Sequence, residues 1–167
     1  IRVNRGELKS RKYNRITQQK IYSKIDYLDK AKEQQQTGLR GEQIALEIER
    51  KRLLDLNLDP NEHIKWCSAE SDSYGYDFET VDYKNDELVK IYVEVKSTKD
   101  IKDTSFFVSK NEVNVSKEKQ EQYRIFRIFD ITSIAPKYYI ADGELEDNFY
   151  LDPVTFSATY KYDVIAN

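Results

Sequence analysis

The chain has 167 residues, of which 34% are charged and 39% hydrophobic, a balance typical of a globular domain and not of a disordered chain. A single cysteine, Cys67, excludes an internal disulfide and favours the reducing environment of the cytoplasm. No apolar run reaches the roughly 18 residues that a membrane span requires. The net charge of −3 is unevenly divided: residues 1–40 carry eleven Lys/Arg against four Asp/Glu, whereas residues 41–167 carry 16 against 26.

The basic residues open the chain. We predict that residues 1–36 form an arm, either a linker or a dimerisation element, with a helix from Thr17 to residue 36. Its apolar stripe is narrow (Ile21, Ile25 and Leu28) and is expected to pack on the domain's own flank or on a twin subunit, with DNA contact as the alternative. The chain contains no methionine, and we expect it to be a piece of a longer protein.

Residues 37–167 are predicted to form the main domain. After a break at Gly38 and Gly41, a second amphipathic helix is expected over residues 39–56. Short strands follow at 64–67, 76–81 and 88–97, then an extended piece at 106–108, a helix at 110–120, strands at 123–129 and 137–141, and a last extended piece near 155–162. This order predicts an α/β (α+β) fold with one mixed sheet, in which the second and third strands pair as a hairpin.

The strand at residues 88–97 carries the chemistry. Its apolar residues alternate with polar ones, so Glu94 and Lys96 project from the same face, roughly 6.6 Å apart. A carboxylate and an amine held side by side on a strand can bind a metal ion and activate a water molecule. Asp77, at the start of the preceding strand, is the candidate for a second carboxylate.

Several short segments occur in a familiar order. They are Gly41-Glu42, Gly75-Tyr76-Asp77, Tyr92-Val93-Glu94-Val95-Lys96, residues 106–112 and residues 123–127. Over about residues 39–130 this set resembles the PD-(D/E)XK nuclease superfamily and, more narrowly, the NO VEIN C-terminal domain family. Each segment is weak alone, but the ordered set is much more specific. The resemblance implies a restriction-endonuclease-like core of helix, three strands, helix and strand, although a tyrosine precedes Asp77 where the superfamily name has proline.

The resemblance also implies a site that binds Mg²⁺ or Mn²⁺. Asp77, Glu94, the main-chain carbonyl of Val95 and Glu42 would hold the ion, and Lys96 would orient water or stabilise developing negative charge. The implied partner is DNA, and the implied neighbours are helicase, ATPase or recognition domains of a restriction or defence protein. Glu49, seven residues after Glu42 on the same helix face, is the alternative to Glu42.

The roles of four other polar residues stay open. Glu112 either caps the helix at 110–120, where negative charge is favoured, or supports the site. Arg124 and Arg127 are three apart on one strand, so they face opposite ways and cannot both touch the same phosphate. His63 is the only histidine, which argues against a zinc site and against histidine-based nuclease chemistry.

Two other functions are possible. One is a nuclease-fold module that binds nucleic acid or a protein partner without cutting. The other is a scaffold, such as a homodimer, assembled through the helix at residues 17–36. A Glu–Lys pair on an exposed strand could also be a surface ion pair of little energetic value.

Overall fold

The computed structural model describes residues 1–2 and 24–154, which fold around one five-stranded mixed sheet. Its strands are β1 (Lys65–Trp66), β2 (Phe78–Lys84), β3 (Glu87–Ser97), β4 (Tyr123–Phe129) and β5 (Lys137–Asp142). The α-helices are α1 (Lys24–Asp55), α2 (Pro60–His63), α3 (Lys110–Lys119) and α4 (Leu145–Asn148). The predicted mixed α/β class is confirmed. Thr17, most of the predicted arm and the extended piece near 155–162 lie outside the described residues, so the domain division at residue 36 stays a prediction.

The strands follow the order β1-β2-β3-β4-β5 across the sheet. The first three are antiparallel neighbours, β4 runs parallel to β3, and β5 is antiparallel to β4. Asn85 and Asp86 form the two-residue turn between β2 and β3, both with the positive φ that such tight hairpins require. A parallel neighbour requires a crossover, and α3 supplies it. The predicted hairpin is therefore found.

The predicted helix break at Gly38 and Gly41 is wrong, because α1 runs unbroken through both. Gly41 serves close packing instead: a Cβ there would lie 2.6 Å from the Cβ of Ser97 on β3. The Ser97 hydroxyl donates a hydrogen bond to the Thr37 carbonyl at 2.9 Å. Helix and strand therefore touch at this point, which brings the next residue, Glu42, towards the end of β3.

Apolar side chains cover both faces of the sheet. One face packs on α1 through residues that include Ala45, Phe78, Val93 and Phe126. The other face carries Tyr123 and Ile125, which cluster with Ala141 and Leu145. Every residue of β4 is buried as a result, and Glu94 of the neighbouring β3 is buried as well.

Smaller predictions had mixed outcomes. Residues 106–108, expected to be extended, join no strand of the sheet. Cys67 is fully buried, as expected of a free cysteine. None of the described helices has the length and apolar character needed to cross a membrane.

Candidate functional site

Asp77 lies immediately before β2, beside the middle of β3. Its backbone N–H donates to the carbonyl of Val93 at 2.8 Å. Its Oδ2 accepts from the backbone N–H of Val95 at 2.7 Å. Asp77 is thus fixed to the residues on both sides of Glu94, so the two carboxylates are neighbours across the hairpin, as the sequence predicted.

Glu94 and Lys96 form an enclosed pair. The side chains of Glu94 and Lys96 are 8% and 15% exposed, and Lys96 Nζ lies 2.7 Å from Glu94 Oε1. This burial excludes the interpretation as a solvated surface pair. A buried pair persists only when its remaining charge and hydrogen-bonding capacity are satisfied by neighbours.

Glu112 caps α3 and also contacts Lys96. It completes a capping box with Ser109, in which the Ser109 hydroxyl accepts from the Glu112 N–H at 3.1 Å. In return, Glu112 Oε2 accepts from the Ser109 N–H at 3.1 Å and from Lys96 Nζ at 2.9 Å. The first turn of α3 therefore holds the lysine of β3 in place.

Glu42 is held by two groups from β1 and the loop that follows it. Its Oε2 accepts from Trp66 Nε1 at 2.9 Å and from the Ser68 hydroxyl at 2.6 Å. Its alternative, Glu49, is buried elsewhere and accepts from the Thr80 hydroxyl at 2.7 Å. The negative charge of Glu42 acts on Asp77.

Burial is the largest influence on the pKa values of the site, and neighbouring carboxylates add to it. Burial and then the negative charge of Glu42 raise the pKa of Asp77 to about 7. Burial and then the charge of Asp77 raise the pKa of Glu94 to about 8. Burial alone would lower the pKa of Lys96, but Glu94 and Glu112 outweigh it and raise this pKa. We call Glu42, Asp77, Glu94, Lys96 and Glu112 the acidic site.

A tight turn aims Asp77 at β3. Gly75 adopts a left-handed conformation with φ of 73°, and a Cβ there would lie 2.8 Å from Val115 of α3. The buried Tyr123 hydroxyl donates to the Gly75 carbonyl at 3.0 Å, and Asn111 donates to the Ser73 carbonyl at 3.0 Å. These supports were not predicted, because their sequence separations carry no periodic signal. Only the glycine two residues before Asp77 hinted at a turn.

The two arginines of β4 have different surroundings. Arg124 is paired on the α1 face with Asp142 at 2.6 Å and Asp82 at 2.8 Å. Asp82 also pairs with Arg52, which in turn pairs with Glu49. We call Glu49, Arg52, Asp82, Arg124 and Asp142 the paired network. Arg127 lies on the opposite face, beside Lys96 in the parallel register, so the prediction that the two arginines diverge is consistent with the structure.

In the described part of the chain, side chains that could bind a metal ion lie together only in small groups. Within residues 1–2 and 24–154, no three His, Cys, Asp or Glu side chains form a group that could hold a metal ion. Asp77 and Glu94 are the adjacent carboxylates, with Glu42 close enough to act on Asp77 through its charge. His63 ends α2 and is not part of the acidic site.

Residues 41–140 match the family model described as "Protein NO VEIN, C-terminal". The match begins at Gly41 and spans the whole acidic site as well as β1 to β4. Comparison with curated proteins and with solved structures finds no match for this chain.

Proposed function

The chain belongs to the NO VEIN C-terminal family, and on that premise we propose that it is a metal-dependent endonuclease domain of the PD-(D/E)XK type. Its reaction would be hydrolysis of DNA phosphodiester bonds, as the cleavage part of a larger restriction or defence protein. One observation carries the proposal: Asp77 is hydrogen-bonded to the main chain on both sides of the buried Glu94, and Lys96 lies 2.7 Å from Glu94 in the same enclosed site. Burial and acidic neighbours raise the pKa values of both carboxyl groups. Such perturbed groups cluster at functional sites.

The raised pKa values fit a divalent cation. Each carboxylate is disfavoured as an anion by burial and by its acidic neighbours, so a positive charge placed between them would favour both ionised forms. Mg²⁺ takes oxygen ligands, keeps several waters and needs only one or two protein carboxylates. Asp77, Glu94 and the Val95 carbonyl would hold it, with Glu42 as a further ligand or the acceptor for one of its waters. When bound, the cation would activate water and neutralise charge on the phosphate.

Lys96 is placed to act on the reacting atoms. An ammonium group has three N–H donors, and Lys96 directs two of them to Glu94 and Glu112. The third donor is available to orient the attacking water or to bind a phosphate oxygen as negative charge develops. Because two carboxylates hold Lys96 charged, its role is that of an electrostatic stabiliser and not of a general base.

DNA cleavage by the purified chain tests this proposal. We expect nicking or cutting of plasmid DNA with Mg²⁺ or Mn²⁺, none with EDTA, and a loss of at least about 100-fold in Asp77→Ala and Lys96→Ala. Lys90→Ala is the matched control, because Lys90 lies on the same strand as Lys96 and also pairs with a carboxylate, that of Glu79, at 2.7 Å, but lies outside the acidic site. Full activity in Lys96→Ala would overturn the mechanism.

A second candidate is a nuclease-fold module that binds nucleic acid without cutting it. It is favoured by one observation, that among the described residues no group of three carboxylate, thiol or imidazole side chains is arranged for a metal ion. Calorimetry distinguishes the two candidates. Binding of DNA by the wild-type chain without any binding of Mn²⁺ would support the module and exclude the metal-dependent nuclease.

A further inference from the structure

A cleft of about 530 Å³ opens beside the acidic site, between α1, the end of β3 and the segment that leads to α3. Its lining includes three basic side chains, Lys96, Lys99 and Arg127. Lys96 and Arg127 are partners in the parallel register of β3 and β4, so their Cα atoms lie roughly 4.8 Å apart on one face. The cleft is therefore continuous with the acidic site through Lys96.

Arg127 differs from the other two cations in forming no ion pair with any carboxylate in residues 1–2 and 24–154. Lys96 is paired with Glu94 and Glu112, and Lys99 is paired with Glu33. Arg127 is 1% exposed, and its Nε and Nη1 are buried without any hydrogen-bond acceptor among the described residues. Its Nη2 donates to the Thr104 carbonyl at 2.8 Å. A buried guanidinium without an anion is costly, so this arrangement is one that an anion would stabilise.

Arg127 is covered by a segment without regular secondary structure. The ring of Phe106 lies 5.0 Å from the guanidinium carbon, and Phe106 and Thr104 belong to residues 98–109, which form neither helix nor strand. Two acidic residues, Glu33 and Asp100, also line the cleft. Glu33 forms an ion pair with Lys99. Burial lowers the pKa of Arg127, and Tyr139 and Asp100 only partly oppose this effect.

We propose that this cleft binds a backbone phosphate of the nucleic-acid strand and that Arg127 is the side chain that binds it. The inference rests on the proposed nuclease function and adds to Lys96 a second cation, whose Nε and Nη1 have no acceptor among the described residues. Guanidinium groups suit phosphate because they present several N–H donors in a fixed plane and stay charged. The adjacent register then places the held phosphate next to Lys96, where the reaction would occur.

Arginine-selective NMR of the intact chain tests the proposal without catalysis. The Nε–H signals of ¹⁵N-arginine would be followed in EDTA during titration with a single-stranded deoxyoligonucleotide, with its uncharged methylphosphonate analogue and with inorganic phosphate. We expect a saturable shift of the Arg127 signal with the phosphodiester strand and none with the methylphosphonate. Arg124 on the same strand is the internal control, because Asp82 and Asp142 already occupy its donors.

The outcomes separate this inference from the nuclease proposal. Three results would overturn the inference, even if the chain cuts DNA. They are no shift of the Arg127 signal with the phosphodiester strand, an equal shift with the methylphosphonate, and a shift with inorganic phosphate but not with the strand. A specific shift in a chain that cuts no DNA would uphold the inference and overturn the nuclease.

A variant provides a second measurement. Arg127→Gln should weaken strand binding about tenfold and reduce the slope of log affinity against log salt by about 0.7, the contribution of one phosphate contact on a single strand. An unchanged slope in a folded Arg127→Gln would contradict the proposal. If this variant does not fold, the titration of the wild-type chain decides alone.

Discussion

Two clusters of charged side chains flank the sheet, and they resolve their charges in opposite ways. In the paired network, three carboxylates face two arginines, and burial of Asp82 is outweighed by Arg124, so the pKa of Asp82 is lowered. In the acidic site, four carboxylates face one lysine, and the pKa values of Asp77 and Glu94 are raised. In the paired network, each carboxylate is paired with an arginine. In the acidic site, the carboxylates outnumber the one lysine, and a bound cation would stabilise their ionised forms.

The comparison also predicts opposite responses to pH. Asp82 has a lowered pKa, so its contribution to stability is present at neutral pH and is lost as pH falls through its folded-state pKa. Asp77 and Glu94 have raised pKa values, so their ionisation destabilises the fold as pH rises from their unfolded values towards about 7 and about 8. The following substitutions test this difference, from the largest expected effect to the smallest.

Arg124→Met should be the most damaging change, because it leaves Asp82 and Asp142 without their shared cation. We expect the free energy of unfolding at pH 7 to fall by about 3 kcal/mol, the loss typical of breaking a buried ion pair. Urea unfolding followed by circular dichroism would measure it. Metal binding should be unaffected in the folded fraction, and a selective loss of metal binding would show that the two clusters are not independent.

Glu94→Gln should have the opposite sign in the metal-free chain. Because the pKa of Glu94 is raised to about 8 in the folded state, its ionisation costs stability progressively as pH rises from the unfolded value to about 8, and the neutral amide has no such cost. We expect the variant to be more stable by about 2 kcal/mol at pH 8.5, less than the full shift implies, because Lys96 then keeps a single anionic partner, Glu112. The gain should vanish near pH 5. Unfolding curves across this range, in EDTA, would show it, and a loss of stability at pH 8.5 would contradict the electrostatic account.

Ser68→Ala should produce the smallest change in stability, below about 1 kcal/mol, because it removes one partly buried hydrogen bond to Glu42 while Trp66 keeps the other. Its effect should appear in Mn²⁺ affinity, which we expect to fall several-fold because Glu42 is less well oriented. Thr80→Ala is the matched control, since it removes a hydroxyl donor to Glu49 in the paired network. Equal effects of both variants on Mn²⁺ affinity would argue against a role for Glu42.

The positions of the acidic-site residues on β3 and immediately before β2 could be predicted from the sequence. The alternation of apolar and polar residues places Glu94 and Lys96 on one face, and the short turn at Asn85 and Asp86 brings Asp77 opposite them. These features depend on neighbours in sequence or across one hairpin, so local rules suffice.

The remaining features depend on contacts distant in sequence. Gly41 suggests a helix break until its packing on Ser97 is known. Glu42 and Glu49 can be distinguished only by their hydrogen-bond partners, which lie far away in sequence. Arg127 could be placed opposite Arg124, but not beside Lys96, because that neighbour follows from the parallel pairing of β3 and β4.

The central claim is that Asp77 and Glu94 form a divalent-cation site, and a crystal of the chain soaked in Mn²⁺ at pH 8.5 tests it most directly. The account predicts an anomalous density peak between the two carboxylates in the wild type and none there in Glu94→Gln, whereas Glu79→Gln should keep the peak. Absence of the peak at saturating Mn²⁺, or its persistence in Glu94→Gln, would contradict the account.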